Sequence, residues 1–371
     1  MFKKYFYRIV AAVVGVTCLI PGFGTVPSDT TTEIEPVRNV IMLIGDGMGM
    51  NVIKKAEQET GVDLSVFDEF TLVGESRTRA LGGITTDSAA GGTALATGVK
   101  TSKNCLGVYA SDIDVKKAYP MNLCELAIEM GKSTGILTTG KAYDATPGAF
   151  SAHQGFREDY EEIQKQQAAC GVDLIWGYWN HDKIGDTVKG IAKANGKQFL
   201  MNKSDLDSYT GEVRSLGAFG SSDLWRLDPQ SGINLSYMMQ KALPILSRNE
   251  NGFFLMAESD HIDSNVEDRD DAAACEAVLE FARTVKLALN YAKSHRDTMV
   301  IVTADHETGF ITKIAGEYRI LSSLHSGRNV PVFVYGCDNF MTPGERMENT
   351  EVGRRIANAM GETNFPRKIA K

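Results

Sequence analysis

Five short apolar runs constrain this chain more than any other feature. They are NVIMLIGD (39–46), STGILTTG (133–140), FFLMAES (253–259), TMVIVTAD (298–305) and PVFVYG (331–336). None alternates polar with apolar, so each predicts a strand buried on both faces. Between them, MNLCELAIEMGK (121–132) and AACEAVLEFARTVKLALNYAKSH (273–295) repeat their apolar residues at helical spacing. Strands alternating with helices predict an α/β fold. It should be a three-layer sandwich with a mostly parallel central sheet and helices on both faces. In such sheets ligands gather at the carboxyl ends of the strands. Three runs reach that end with an acid: Asp46, Glu258 and Asp305. With 371 residues, 43% of them hydrophobic, the chain can bury one large core of this kind. The stretch 158–251 is more polar, less regular and holds Trp176, Trp179 and Trp225. It reads as a cap-like insertion over the sheet edge within a domain spanning 28–371.

The first 27 residues have another design. A basic start (Lys3, Lys4, Arg8), the apolar run IVAAVVGVTCLI and a small, polar stretch follow the layout of a secretory signal peptide. The run is too short for a stable membrane span. These features predict export to a periplasmic or extracellular location. The formal charge of −8 excludes the basic face that a nucleic-acid binder needs. Beyond the signal, five cysteines (Cys105, Cys124, Cys170, Cys275, Cys337) are scattered, odd in number and without C-x-x-C spacing. They make neither a disulfide framework nor a cysteine zinc site.

Four further stretches carry chemistry. In IGDGMGM (44–50), Asp46 is flanked by glycines and either faces a ligand or caps the helix that follows. In GGITTDSAAGGTALATG (82–98), Ser88 follows Asp87 and precedes small residues that let a ligand approach a helix N-terminus. In YDATPGAFSAHQGFR (143–157), Asp144 and Thr146 stand two apart, as on one face of an extended strand. Arg157 in the same stretch suits a phosphate. TADHETGF (303–310) and LHSGRNVPVFVYG (324–336) add Asp305, His306 and His325, donors that suit zinc.

Taken in this order, from about Asn39 to Gly336, these motifs resemble the alkaline phosphatase family, most specifically in DSAAGGTALATG and TADHETGF. The resemblance implies phosphate monoester hydrolysis through a phosphoserine, with two zinc ions (Zn2+) and one magnesium ion (Mg2+), and a homodimer. By position, Ser88 resembles the nucleophile, Arg157 the phosphate-binding arginine and Asp87 the neighbour that orients it. Asp46 resembles the ligand bridging the second zinc and magnesium. Asp305 and His306 match the other second-zinc ligands. Asp144, Thr146 and Glu258 match the magnesium positions, and Asp263 and His325 the first-zinc ligands.

Two places depart from the family pattern. Four residues after Asp263, where the family carries a histidine, stands Glu267. Three readings stay open: Glu267 is a ligand of a harder, modified site; the first site is weak; or catalysis is lost and only metal or phosphate binding remains. His261 is close in sequence but points to no clear substitute role. In VDLIWGYWNHDKIG (172–185), Trp176, Tyr178, Trp179, Asn180 and His181 either form an aromatic wall at the entrance or pack a core. The enzyme rival is a phosphodiesterase of the same superfamily.

Overall fold

The computed structural model describes residues 36–180, 184–220 and 232–370. The expected signal segment, His181 and Trp225 lie outside the described residues. Ten strands form the main sheet. In chain order they are β1 (Asn39–Gly45), β2 (Leu72–Arg77), β3 (Ser133–Lys141), β4 (Leu174–Tyr178), β5 (Lys197–Leu200), β6 (Arg214–Phe219), β7 (Phe253–Ser259), β8 (Thr298–Thr303), β9 (Val330–Tyr335) and β10 (Arg346–Glu348). Across the sheet the order is β10-β2-β9-β8-β1-β7-β3-β4-β6-β5. Only β9 runs against its neighbours, β2 and β8; the other pairings are parallel. The mostly parallel α/β sandwich read from the five apolar runs is the observed fold.

The strand sequences explain the layering. Along β1, Val40, Met42 and Ile44 enter one core while Ile41 and Leu43 enter the other. Strand β7 does the same, with Phe254 and Met256 on one side and Phe253, Leu255 and Ala257 on the other. Helices Ser88–Thr97, Leu123–Glu129 and Asn349–Ala359 supply apolar residues to the first core. Met50–Thr60, Leu235–Leu246 and Asp271–Ser294 supply them to the second. A strand with no solvated face has no reason to alternate, so it reads as an apolar run.

The 158–251 segment enters after β3 and leaves before β7, which pair directly. It supplies the three outer strands β4, β6 and β5 that extend this edge. Trp176 and Trp179 are fully buried in the cores. For these two, packing is the observed role, and the aromatic wall is not made of them.

Candidate functional site

Strands β1, β7 and β8 lie side by side, so their carboxyl ends bring Asp46, Glu258 and Asp305 together. Asp46 does not cap the following helix, whose N-cap is Gly49 with no side-chain bond. Gly47 has φ +69°. A Cβ there would lie 2.5 Å from an Asp263 Oδ1 and 2.8 Å from Thr308 Oγ1. Only glycine gives this turn and still admits Asp263. Gly91 serves the opposite wall. A Cβ on it would sit 2.8 Å from the carbonyl of Asp305, so the small residues after Ser88 let that helix press against the end of β8.

An inner cluster results. His306 Nε2 lies 3.3 Å from Asp46 Oδ1, 3.3 Å from Asp305 Oδ2 and 3.3 Å from Ser88 Oγ. Asp305 and His306 are fully buried, and Asp46 and Ser88 nearly so. Asp46 Oδ1 and Asp305 Oδ2 have no hydrogen-bond partner among the described residues. Burial, then the neighbouring carboxylates Asp305, Asp263 and Glu258, hold the Asp46 carboxyl well above its ordinary range. Burial pulls the His306 imidazole down, against the pull of Asp305 and Asp263. Buried carboxylate oxygens without donors are satisfied by a proton or by a cation, and one imidazole with two carboxylates is the kind of donor set that zinc or a similar divalent ion takes.

An outer cluster sits beside it. His325 Nε2 is 3.6 Å from Asp263 Oδ2 and 3.3 Å from Glu267 Oε1. Asp263 and Glu267 are one turn apart on the helix His261–Glu267, which is why both reach His325. The His325 ring stacks on that of His306 with centroids 3.6 Å apart. Its Nδ1 lies 3.1 Å from the carbonyl of Thr86. Burial lowers the His325 pKa, but Asp263 and Glu267 outweigh it and push the ring up to about 10. Thr308 ties the clusters together. It donates to Asp263 Oδ1 and its oxygen lies 3.1 Å from His306 Nδ1.

A third group lies toward β3. Glu258 Oε2 accepts from Thr138 at 2.5 Å, and burial and Asp260 raise its pKa. Thr146 is buried nearby in the helix Ala145–Ala149, so the expected extended strand through Asp144 and Thr146 is not what forms. Asp144 caps that helix, accepting from the Ala145 amide at 2.8 Å, because a carboxylate satisfies the free amides of a first turn. Arg157 donates to the same Asp144 oxygen at 3.0 Å and lies 3.7 Å from Asp87 Oδ2. Asp87 plays a matching part. It caps the helix starting at Ser88 through the Ala90 amide, at 3.1 Å, while its other oxygen accepts from the Asn104 amide at 2.8 Å. Two capping aspartates thus hold one guanidinium near the serine.

The residues matched to the family's site positions, together with Glu267, converge here: Ser88, Asp87, Arg157, Asp46, Asp144, Thr146, Glu258, Asp263, Glu267, Asp305, His306 and His325. Sequence reasoning missed Asp260, whose carboxyl is pushed up to about 7 by burial, then Asp144 and Asp263. It also missed the supporting threonines, Thr138 and Thr308. In sequence, Asp260 is one more acid in the charge run AESDHIDSNVEDRDDA (257–272). The run's last three acids, Asp268, Asp270 and Asp271, read as a solvated helix start; Asp270 and Asp271 do begin the helix Asp271–Ser294, Asp270 accepting from the Ala273 amide at 3.0 Å, whereas Asp268 closes the preceding helix His261–Glu267.

Fold and site together define a protein with clusters of buried carboxylates and imidazoles, two of them candidate metal-ligand groups, grouped around a serine at the carboxyl edge of a parallel sheet. The sequence profile described as alkaline phosphatase matches residues 37–175 and 177–322. Alkaline phosphatase 4 of Bacillus subtilis is 35% identical over 297 residues, covering 74% of this chain and 62% of that protein. The Escherichia coli alkaline phosphatase is 28% identical over 407 residues, 89% of this chain and 84% of that one. The alkaline phosphatase of the Antarctic bacterium TAB5 superimposes with a TM-score of 0.78 at 25% identity, over 88% of this chain and 99% of that one. The chain belongs to the alkaline phosphatase family. It spans less than two thirds of the two Bacillus subtilis relatives, 62% and 65% of their lengths.

Proposed function

We propose that this chain hydrolyses phosphate monoesters through a phosphoserine at Ser88. The observation that carries the reading is the placing of Ser88 Oγ against the inner cluster, with Arg157 held beside it by Asp87 and Asp144. Asp46, Asp305 and His306 would hold one zinc ion, Asp263, Glu267 and His325 a second, and Asp144, Thr146 and Glu258 a magnesium ion, with Asp46 between sites. Bound there, these cations would supply Lewis acidity to the attacking and leaving oxygens. Ser88 opens its helix, so the phosphoryl group it accepts lies at free amides and a positive helix end. Arg157 offers paired N–H donors to two phosphoryl oxygens, and both groups are set before the substrate arrives. Glu267 completes the outer cluster in place of an imidazole, and its partnership with His325 supports a ligand role.

Arg157 with its two aspartates favours a dianionic monoester over a diester. Turnover of p-nitrophenyl phosphate and of bis-p-nitrophenyl phosphate, with zinc and magnesium supplied, tests this. Acid quenching should trap a phosphoserine that Ser88→Ala abolishes. Preference for the diester would assign the chain to the phosphodiesterase reading. Phosphate binding without a trapped phosphoserine would leave a binding protein. Export rests on the signal-like first 27 residues. No helix among the described residues is long and apolar enough to cross a membrane. The family supports a homodimer, which sedimentation would test.

A further inference from the structure

Strands β3 and β7 run side by side, and toward their carboxyl ends Thr138 is the register partner of Glu258. Thr138 donates to Glu258 Oε2, and its own oxygen accepts from the Gly140 amide at 2.9 Å. Two residues beyond each partner, Gly140 meets Asp260. A Cβ on Gly140 would lie 2.5 Å from the Asp260 Cγ and 2.7 Å from its Oδ1. The missing side chain makes the slot that the Asp260 carboxyl occupies. The Asp260 amide donates to Thr139 Oγ1 at 3.0 Å, which ties the residue to the same strand end. Asp260 stands at the N-cap of the helix His261–Glu267, yet its side chain does not cap it. Its carboxyl is thus held in place without serving the helix it precedes.

The surroundings show what it serves. Asp260 is close enough to Asp46 and Glu258 to raise the pKa of both, and Asp144 and Asp263 act on it in turn. Two buried oxygens of this group have no hydrogen-bond partner among the described residues: Asp46 Oδ1, and Thr146 Oγ1 beside Glu258. A carboxylate can answer burial with a proton. A hydroxyl cannot, and its lone pairs stay free for a cation. Asp144 is the less available carboxylate here. It caps its own helix, Arg157 takes its Oδ1 at 3.0 Å, and the Lys141 ammonium lies 3.8 Å from its Oδ2. Among the described residues neither of these cationic groups forms an ion pair with Asp260.

We infer that Asp260 is a further carboxylate donor of the third cation position, completing it with Glu258, Thr146 and Asp46 while Asp144 is shared with Arg157 and Lys141. The inference rests on the magnesium site of the reading above. An all-oxygen set with this many carboxylates suits a hard divalent ion, magnesium or manganese, and each added charge tightens it. The test is magnesium binding to the zinc-loaded full chain, read by calorimetry without substrate and counted per zinc-containing chain, which removes unfolded protein from the comparison. Asp260→Ala should weaken binding by at least about tenfold, the lower end of what partners at a metal site are worth. Gly140→Ala should do the same, because the nearest atoms to its Cβ all belong to Asp260. With manganese as the probe, water-proton relaxation should count one more bound water in Asp260→Ala than in the wild type. Unchanged magnesium affinity, or weaker affinity with no added water, overturns Asp260 as a donor. A wild type that binds no magnesium but forms the phosphoserine overturns this inference and leaves the hydrolase reading standing. The expected binding pattern without a trapped phosphoserine upholds Asp260 and overturns the hydrolase reading.

Discussion

The inner and outer clusters use the same residue types and answer their charge differently. Inside, Asp46, Asp305 and His306 are sealed at strand ends, two carboxylate oxygens lack any donor, and the one imidazole is pushed toward neutrality by burial. Outside, His325 is pushed the other way, up to about 10, because Asp263 and Glu267 face it and Glu267 is solvent-exposed. The outer cluster can neutralise itself with a proton. The inner one has two carboxylates against an imidazole pushed toward neutrality, so it limits its charge by holding a proton on Asp46, a proton that a bound cation would displace. The inner cluster should therefore be the more demanding of metal and the less tolerant of change.

The largest break in this contrast comes from Asp305→Asn. It removes a donor from the inner cluster, so turnover of p-nitrophenyl phosphate should fall by well over the roughly 10–100-fold that outer partners of metal ligands are typically worth. In the chelated protein the same change removes a buried charge without a counter-ion, so the melting temperature should rise. A loss of activity together with a lower metal-free melting temperature would mean that Asp305 is held by structure and not by a need for cations.

Next in size is the pH response of the chelated protein. Asp260, at about 7 against an ordinary 3.8, keeps a proton that the unfolded chain has lost. Folding stability therefore falls as pH rises from about 4 to about 7. His325, at about 10 against 6.5, stabilises fully below 6.5 and loses that contribution as pH rises through about 10. Stability should thus decline across both windows in succession. Metal-loaded protein should do the reverse at low pH, because its ligands bind cations only when deprotonated. Denaturant titrations from pH 4 to 10 with and without chelator read both slopes. Glu267→Gln should flatten the upper window only, and a flattened lower window would contradict the separation of the clusters.

The parts of this site that sequence revealed share a physical cause. Strands buried on both faces are apolar throughout, so Asp46, Glu258 and Asp305 stand out where each run ends. Strands β4, β5 and β6 were not legible because they are short and mixed: LIWGY carries a glycine, and KQFL opens on a lysine. The same holds for β2, LVGESR, which alternates as a strand exposed on one face does. Asp260 lay hidden because a charge run looks solvated whatever its fold, and only the tertiary approach of β3 buries it. Asp144 and Thr146 were placed on an extended segment because a spacing of two fits a strand. Asp144 instead starts a helix, where its carboxylate finds a free amide.

The smallest expected effect falls on the residue that sets the outer cluster apart. Glu267→His replaces a hard carboxylate with an imidazole on the same helix face, one turn from Asp263. It removes one negative charge and adds a donor that zinc prefers to magnesium. Zinc affinity at the outer cluster should rise by about tenfold relative to magnesium, with a rise in monoester turnover no larger than that. Competition titrations with a zinc-selective chelator in the presence of magnesium measure the first, and p-nitrophenyl phosphate kinetics the second. The inner cluster is the internal control, because Glu267 makes no contact with Asp46 or Asp305 there. A variant whose zinc affinity falls would mean that the Glu267 carboxylate is already the better donor in this geometry. The outer cluster would then be a site adapted to its own ligand set, and no longer the weaker of the two.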